Sequence, residues 1–423
     1  MKIAFIVGKF PVLSETFVLN QIIGLISRGH EVDIYGYQPD DTFKVHPDVE
    51  KYHLLARTYY PPEIPRNYFL RFLKGLQLVL TNFPKAPLVL LRSLNFFKYG
   101  GRATCLRLLY SVIRLLKAQP YDIIHCQFGT FAQEGLILRD IGAIQGKLIT
   151  TFRGYDISQV VHQRGEDVYD SLFAKGDFFL ANCEYFKKRA IKLGCDEKKI
   201  VVHGSGIDSS RFPLKLRNPH PDGKIRITTT GRLIEKKGIE YSIRAVAKVS
   251  RMHQNIQYNI IGDGYLKENL QQLIEELNIA DKVQLLGWKN QPEIIEILDN
   301  SDIFMAPSVT ATNGDQDAPV NTLKEAMLMT LPVIATRHGG IPELVQDGIS
   351  GFLVPERDAD AIADKLSYLI EHPEIWSQMG QAGRTYVESN YDMNKLNDEL
   401  VQIYRQILLN DLHSQDLALV AST

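Results

Sequence analysis

The residues best placed to do chemistry lie in the second half of the chain. Arg232 and Lys237 stand within Gly231-Arg232-Leu233-Ile234-Glu235-Lys236-Lys237-Gly238, between an apolar run and a helical pattern. A guanidinium offers a rigid fork of donors and an ammonium a compact point charge. Both would sit at the C-terminal end of a parallel strand, where α/β folds bind ligands. A helix opening after Gly238 would add free N–H groups and a positive dipole. Together these groups suit a phosphate that gains charge as a bond to it breaks; the plainer alternative is an exposed basic turn. Asp317 and Glu325 form a second pair, eight positions apart. On one continuous helix they would be about 12 Å apart along the axis, and closer if Asp317 precedes the helix. Either gap is awkward for a retaining hydrolase, whose carboxyls lie roughly 5–5.5 Å apart. Asp315-Gln316-Asp317 also spells D-x-D, a metal-binding pattern short enough to arise by chance. His338, beside Gly339 and Gly340, reads as a ligand contact or an ordinary loop histidine.

Such residues need a scaffold, and the hydrophobic pattern supplies one. Lys2–Val7 is a short apolar run. Thr16–Arg28 repeats apolar residues at helical spacing, with Ser14 as N-cap and Gly29 as stop, and Val32–Tyr35 returns as a strand. A strand–helix–strand unit implies a parallel sheet with a right-handed crossover. Asp122–His125, Lys147–Thr151, Phe178–Ala181 and Ile200–Val202 read as further buried strands. After a polar stretch with three prolines, Arg211 to Gly223, a second series follows: Ile225–Thr230, Ile256–Ile261, Val283–Leu286, Ile303–Ala306, Val333–Ala335 and Gly351–Val354. Two doubly wound α/β domains in tandem are the economical reading. The expected division is 1–210, then 211–385, then a helix at 386–410 packing back toward the first domain, with a loose tail beyond Asn410. Asn182, Cys183 and Glu184 end a strand near the expected cleft, where Asn182 reads as a helix cap.

Bulk composition fits two ordinary globular domains. The chain has 423 residues, 45% hydrophobic and 23% charged, with a formal net charge of −1. That balance argues against a nucleic-acid binder. Cys105, Cys126, Cys183 and Cys195 show neither CxxC nor metal-ligand spacing, so reduced thiols in the cytoplasm are expected. The apolar N-terminal run is too short for a signal peptide, and no apolar stretch has membrane-spanning length.

Segment 66–118 stands apart. From Ile64 to Tyr121 there is no Asp or Glu, yet ten cations from Arg66 to Lys117 alternate with Leu, Phe and Tyr at helical spacing. Such helices suit an anionic membrane surface at the inner face of the plasma membrane. They equally suit packing inside the first domain with solvated cations.

The motifs in their order resemble glycosyltransferase family 4, the large retaining group of GT-B enzymes. The likeness runs through Gly231-Arg232 to Lys237-Gly238, Ile261-Gly262-Asp263-Gly264, Leu286-Gly287-Trp288, Asp302 to Ser308, the span Asp317-Ala318-Pro319-Val320-Asn321-Thr322-Leu323-Lys324-Glu325 and Gly339-Gly340-Ile341-Pro342-Glu343. The first half is similar through Phe10 to Phe17, His125 to Gly129 and Thr151 to Asp156, and resembles the colanic-acid and exopolysaccharide branch. The resemblance implies two Rossmann-like domains facing a cleft and transfer from a nucleotide-sugar to a glycan or polyprenyl-linked acceptor. It implies Arg232 and Lys237 on the diphosphate, Glu325 on the ribose, and Asp317 with its loop amides on the transferred sugar. Gly231, Gly262, Gly264, Gly287, Trp288, Ala318, Pro319, Val320, Asn321 and Thr322 would line the donor, and no metal or other cofactor would be needed. Ser14, Glu15, Thr16, His125, Arg153 and Asp156 would face the cleft on the acceptor side.

Three departures from the pattern matter. Asp317 replaces the usual first Glu, with the usual Pro displaced to Pro319. Leu13-Ser14-Glu15 replaces a common Gly-Gly, and Arg153 replaces a common His. Arginine cannot shuttle protons, so its expected role is electrostatic. Rival readings are a D-x-D metal enzyme, a nicotinamide dehydrogenase built on fragments such as Gly204-Ser205-Gly206, a phosphorylase or epimerase of like architecture, and a membrane-associated scaffold without catalysis.

Overall fold

The computed structural model describes residues 1–12, 15–39, 46–116 and 118–420, with side chains as far as Leu409. Ser14 and Lys117 therefore lie outside the described residues. Seven parallel strands form the first sheet: β1 (Lys2–Ile6), β2 (Glu31–Tyr35), β3 (Thr58–Tyr59), β4 (Ile123–Gln127), β5 (Lys147–Phe152), β6 (Phe178–Ala181) and β7 (Ile200–Val202). Their order is β3-β2-β1-β4-β5-β6-β7. Six form the second: β8 (Ile225–Thr230), β9 (Ile256–Ile261), β10 (Val283–Gly287), β11 (Ile303–Ala306), β12 (Val333–Thr336) and β13 (Phe352–Val354), ordered β10-β9-β8-β11-β12-β13. Both orders reverse once, between β1 and β4 and between β8 and β11. That reversal opens a crevice at the strands' C-terminal ends.

Why these strands are apolar follows from burial on both faces. In β1, Ile3 and Phe5 join one core with Ile22, Leu25 and Val32, while Ala4 and Ile6 join another with Ile124, Cys126 and Leu148. The second domain repeats this scheme. Ile303 and Met305 enter one core, and Phe304 and Ala306 the opposite one.

The chain then returns to the first domain. Helix Trp376–Tyr391 is followed by helix Met393–Val420, which continues past the expected end into the stretch read as a loose tail. Its Leu400, Val401 and Tyr404 complete the first domain's core beside Phe5 and Leu180. Burying a large apolar side chain is worth about 1.5–3 kcal/mol, so this contact is a substantial part of that domain. The polar stretch Arg211 to Gly223 is also less of a free linker than its composition implies. Buried Arg217 donates to the carbonyls of Met329, Asp299 and Ser301, bolting the segment to the second domain.

Segment 66–118 folds into short helices: Tyr68–Asn82, Pro87–Ser93, Phe96–Tyr99, Gly101–Thr104 and Arg107–Ile113. Part of it packs inside the first domain. Leu90, Leu108, Leu109, Val112 and Leu115 pack into the first core, whereas much of helix Tyr68–Asn82 is exposed. No helix among the described residues is long and apolar enough to cross a membrane.

Candidate active site

The loops after β8, β9 and β10 stack backbone on backbone. Gly231 N–H donates to Ile261 O, Leu233 N–H to Asp263 O and Gly262 N–H to Gly287 O. At two of the glycines, Gly262 and Gly264, the packing leaves no room for a side chain. A Cβ on Gly262, at φ +142°, would lie 1.9 Å from Gly231 O, and one on Gly264 would lie 2.4 Å from Leu233 O. Gly231, Gly262, Gly264 and Gly287 thus form one ridge, with Trp288 exposed at its end. Beyond Leu233 the chain makes a 3-10 turn, Glu235–Lys237, before helix Ile239–Val249 begins. Gly238 takes φ +59° against Pro307 O, 2.0 Å from where a Cβ would fall. Only glycine fits that join without displacement.

This turn holds three cations. Arg232 is exposed, and its side chain has no hydrogen-bond or ion-pair partner among the described residues. Lys237 runs its stem along Gly231 and places Nζ 2.7 Å from Asp317 Oδ2. Lys236, which sequence reading did not single out, lies 3.3 Å from Asp317 Oδ1 and 3.0 Å from Asp315 Oδ2. Asp317 is itself buried, and Ser308 Oγ donates to it at 2.9 Å. Burial pushes the Asp317 carboxyl up, but Lys237 and Lys236 outweigh it and hold the group well below its usual range. Burial likewise pulls the Lys237 ammonium below its ordinary value, against the pull of Asp317.

In this arrangement the two oxygens of Asp317 meet two ammoniums and a hydroxyl, so the carboxylate positions Lys237. The D-x-D pair likewise faces lysines. No group of three potential His, Cys, Asp or Glu metal ligands occurs among the described residues. Buried His338 supports Asp317 from behind. Its Nε2 accepts the Asp317 N–H at 2.9 Å and its Nδ1 lies 2.6 Å from Glu356 Oε1. Accepting at Nε2 leaves the proton on Nδ1, where it donates to Glu356. The Gly339-Gly340 turn presses on the same loop. A Cβ on Gly339 would meet Asp317 O at 2.0 Å, and one on Gly340 would meet Pro319 Cδ at 2.5 Å.

From Asp317 the chain passes Ala318, Pro319 and Val320 into helix Asn321–Leu328. Asn321 and Thr322 open that helix, with Val320 as N-cap and no side-chain cap. Glu325 sits one turn in, partly buried, and its carboxylate has no protein partner among the described residues. Burial pushes its pKa up to about 7. Neighbouring Lys324, also absent from the expected site, is fully buried. Its Nζ donates to Ser205 O at 2.8 Å and lies 4.2 Å over the Tyr391 ring. Burial pulls that ammonium down to about 7.

Ser205 links this helix to the first domain. Arg153 Nη1 donates to Ser205 Oγ, Nε to Gln127 Oε1 and Nη2 to Gln21 Oε1. The guanidinium also lies 4.3 Å from the Phe17 ring centre. Burial lowers its pKa to about 10, so it remains a cation at neutral pH. Glu15 and Thr16 begin helix Thr16–Ser27 next to Phe17, with Glu15 in the N-cap position expected of Ser14.

Two expected cleft residues belong to the core instead. His125 is fully buried in β4, where Nδ1 meets Tyr404 OH and Nε2 meets Thr151 Oγ1. Asp156 is fully buried and accepts the N–H groups of Gly129, Arg153 and Gly154. Neither can reach an acceptor, although Asp156 fixes the loop that carries Arg153. Asn182 is not the cap of helix Glu184–Lys192 either, for Cys183 holds the N-cap position and Asn182 Nδ2 donates to Arg153 O. The helix is capped across the domain boundary by Glu343, which accepts from Glu184 N–H and Tyr185 N–H, both at 2.7 Å.

The chain is similar in sequence to known proteins along nearly its whole length. Residues 14–211 match the family model described as Glycosyltransferase Family 4, and residues 211–386 the one described as Glycosyl transferases group 1. The amylovoran biosynthesis glycosyltransferase AmsK of Erwinia amylovora is 34% identical over 412 residues, spanning 96% of this chain and 100% of that protein. WcaL of Salmonella typhimurium, assigned to colanic acid biosynthesis as a glycosyltransferase, is 34% identical over 414 residues, again 96% of this chain and 100% of its own length. Among solved structures, HepE of Anabaena in complex with UDP and glucose shares the fold, with a TM-score of 0.69 at 18% identity over 96% of this chain and 100% of that one. With both domains matched and full-length relatives at that identity, the chain belongs to the family 4 glycosyltransferases and has the GT-B fold.

Proposed function

We propose that this glycosyltransferase moves a sugar from a nucleoside-diphosphate sugar to a glycan or lipid-linked glycan during exopolysaccharide assembly, with retention at the anomeric carbon. The observation that carries the reading is the cation turn. Arg232 is exposed and Lys237 is braced by Asp317, both following the C-terminal end of β8. A diphosphate there would receive a forked donor and an ammonium. Glu325, whose carboxyl has no protein partner among the described residues, would exchange hydrogen bonds with the ribose hydroxyls. The amides of Ala318 to Thr322 would face the transferred sugar, and the ledge at Gly287 and Trp288 the base. The relatives AmsK and WcaL support the exopolysaccharide setting, and the UDP in HepE supports a nucleoside diphosphate.

In the proposed step the acceptor oxygen bonds to the anomeric carbon on the face the leaving group vacates. The bond from that carbon to the phosphate oxygen breaks, and the phosphate oxygen takes the acceptor's proton. No protein base is required, so rate comes from positioning and from cations at the leaving group. Arg232, Lys236 and Lys237 supply that charge without a metal. A thermal-shift screen of UDP-, GDP- and ADP-sugars tests the donor. The right one at 100 times its Kd stabilises the fold by about 2.7 kcal/mol, and no shift with any of them counts against the reading. Proton NMR of the product in excess chelator tests the rest. An inverted anomer, or transfer abolished by chelator, contradicts it.

A further inference from the structure

The segment between β3 and β4 leaves an apolar surface open. In helix Tyr68–Asn82, Arg71 and Gly75 are buried and Val79 packs on the first core, one narrow stripe. At about 100° per residue, Phe69, Phe72, Leu73, Leu76 and Leu80 share another flank. All five are exposed, Phe69 to 68% and Leu80 to 67%. Helices Pro87–Ser93 and Phe96–Tyr99 add Leu88 at 64% and Phe97 at 90%. Single exposed apolar residues are ordinary, but such a run marks a contact surface.

Charge identifies the contact. Arg66, Lys85, Arg92, Lys98, Arg102 and Arg107 are exposed around these helices, and the segment from Ile64 to Tyr121 has no acidic residue. The nearby carboxylate that the fold supplies, Asp140, pairs with Lys98 at 2.6 Å, and the other five cations have no ion-pair partner among the described residues. A second copy of the chain meeting this face through a two-fold axis would set cation against cation. A bilayer with anionic headgroups meets both needs, since rings enter the boundary with the acyl chains while lysine and arginine heads reach phosphates.

We propose that the face formed by helices Tyr68–Asn82, Pro87–Ser93 and Phe96–Tyr99 docks on an anionic phospholipid bilayer, with Phe69, Phe72, Leu76, Leu80, Leu88 and Phe97 as its apolar contacts. The proposal stands on this surface alone and does not depend on the donor chemistry. Docking there would hold the first domain at a surface where lipid-linked glycans lie.

Co-sedimentation of the full chain with vesicles tests it. The protein is expected to pellet with phosphatidylglycerol-containing vesicles and stay in solution with pure phosphatidylcholine. Phe72→Asp/Leu76→Asp, at exposed positions, is expected to abolish pelleting while leaving the melting temperature unchanged. Lys85→Gln and Arg102→Gln are expected to weaken binding about fivefold each at low salt. Failure to pellet with anionic vesicles, or pelleting that the double variant does not reduce, overturns the proposal. So does a concentration-dependent dimer that the double variant dissolves without any vesicle binding.

Discussion

Asp317, Lys236 and Lys237 form a charge cluster that separates catalysis from stability at neighbouring positions. Arg232 lies outside it, exposed and unpaired among the described residues. Arg232→Ala is expected to lower turnover about 100-fold or more with the melting temperature unchanged. Lys237→Ala is expected to lose similar turnover and also roughly 1–3 kcal/mol of stability, because buried Asp317 then keeps Lys236 as its one ammonium partner, beside the Ser308 hydroxyl. Steady-state kinetics and thermal melts of the two variants check this contrast. Glu325 gives a prediction of opposite sign. Its pKa is raised to about 7 from an ordinary 4.5, so the folded state holds the proton more tightly than the unfolded chain. The stability linked to that proton is full below pH 4.5 and is lost as pH rises through 7. Glu325→Gln is therefore expected to stabilise the protein at pH 8, by roughly 1–3 kcal/mol, while weakening donor binding. A melt at pH 5 and pH 8 checks it, and equal shifts at both would contradict it. Part of this site was legible in the sequence. Arg232, Lys237, Asp317 and Glu325 stand in loops or at a helix start, where type and spacing speak for themselves. Lys236 and Lys324 were missed because a buried lysine looks like any surface lysine until its surroundings are known. The pairing of Lys237 with Asp317 spans 80 positions, and no local pattern reports it. His125 and Asp156 have the right chemistry in the wrong place, since a strand position alone does not say whether a neighbouring helix covers it.

Among the elements, the ridge of glycines sets the position of Arg232. Gly262→Ala would put a Cβ 1.9 Å from Gly231 O at a positive φ. It is expected to cost more than about 2 kcal/mol and to lower turnover by displacing the turn, which parallel melts and assays can measure. Strands were the most legible elements. Phe178–Ala181, Ile200–Val202, Ile225–Thr230, Ile256–Ile261 and Ile303–Ala306 match their apolar runs to the residue. Burial on both faces makes such strands continuous in hydrophobicity. β3, only Thr58–Tyr59, has too few residues to show any pattern. The short helices of 66–118 mix core and surface within single turns, so hydrophobic spacing could not divide them.

At the scale of the whole molecule, the two domains are tied by the last helix and by a cap. Helix Met393–Val420 lends Leu400, Val401 and Tyr404 to a core whose strands lie at the other end of the chain. Ending the chain after Asp392 removes three such side chains, about 1.5–3 kcal/mol each, against a typical domain stability of 5–15 kcal/mol. Loss of the cooperative thermal transition of the first domain is expected, read by circular dichroism; an unchanged melt would show that the helix is dispensable. Glu343 joins the domains by capping helix Glu184–Lys192. Glu343→Ala is expected to lower stability by about 1 kcal/mol and to let the domains separate in small-angle scattering. This cross-domain contact was beyond sequence reading, which expected Asn182 in that place.

Calorimetric titration of UDP, GDP and ADP into the native chain and into Arg232→Ala puts the diphosphate-binding turn to its most direct test. At least one nucleoside diphosphate is expected to bind the native protein, with affinity about tenfold or more weaker in the variant. Equal affinity in the two proteins would contradict a diphosphate seated on this turn.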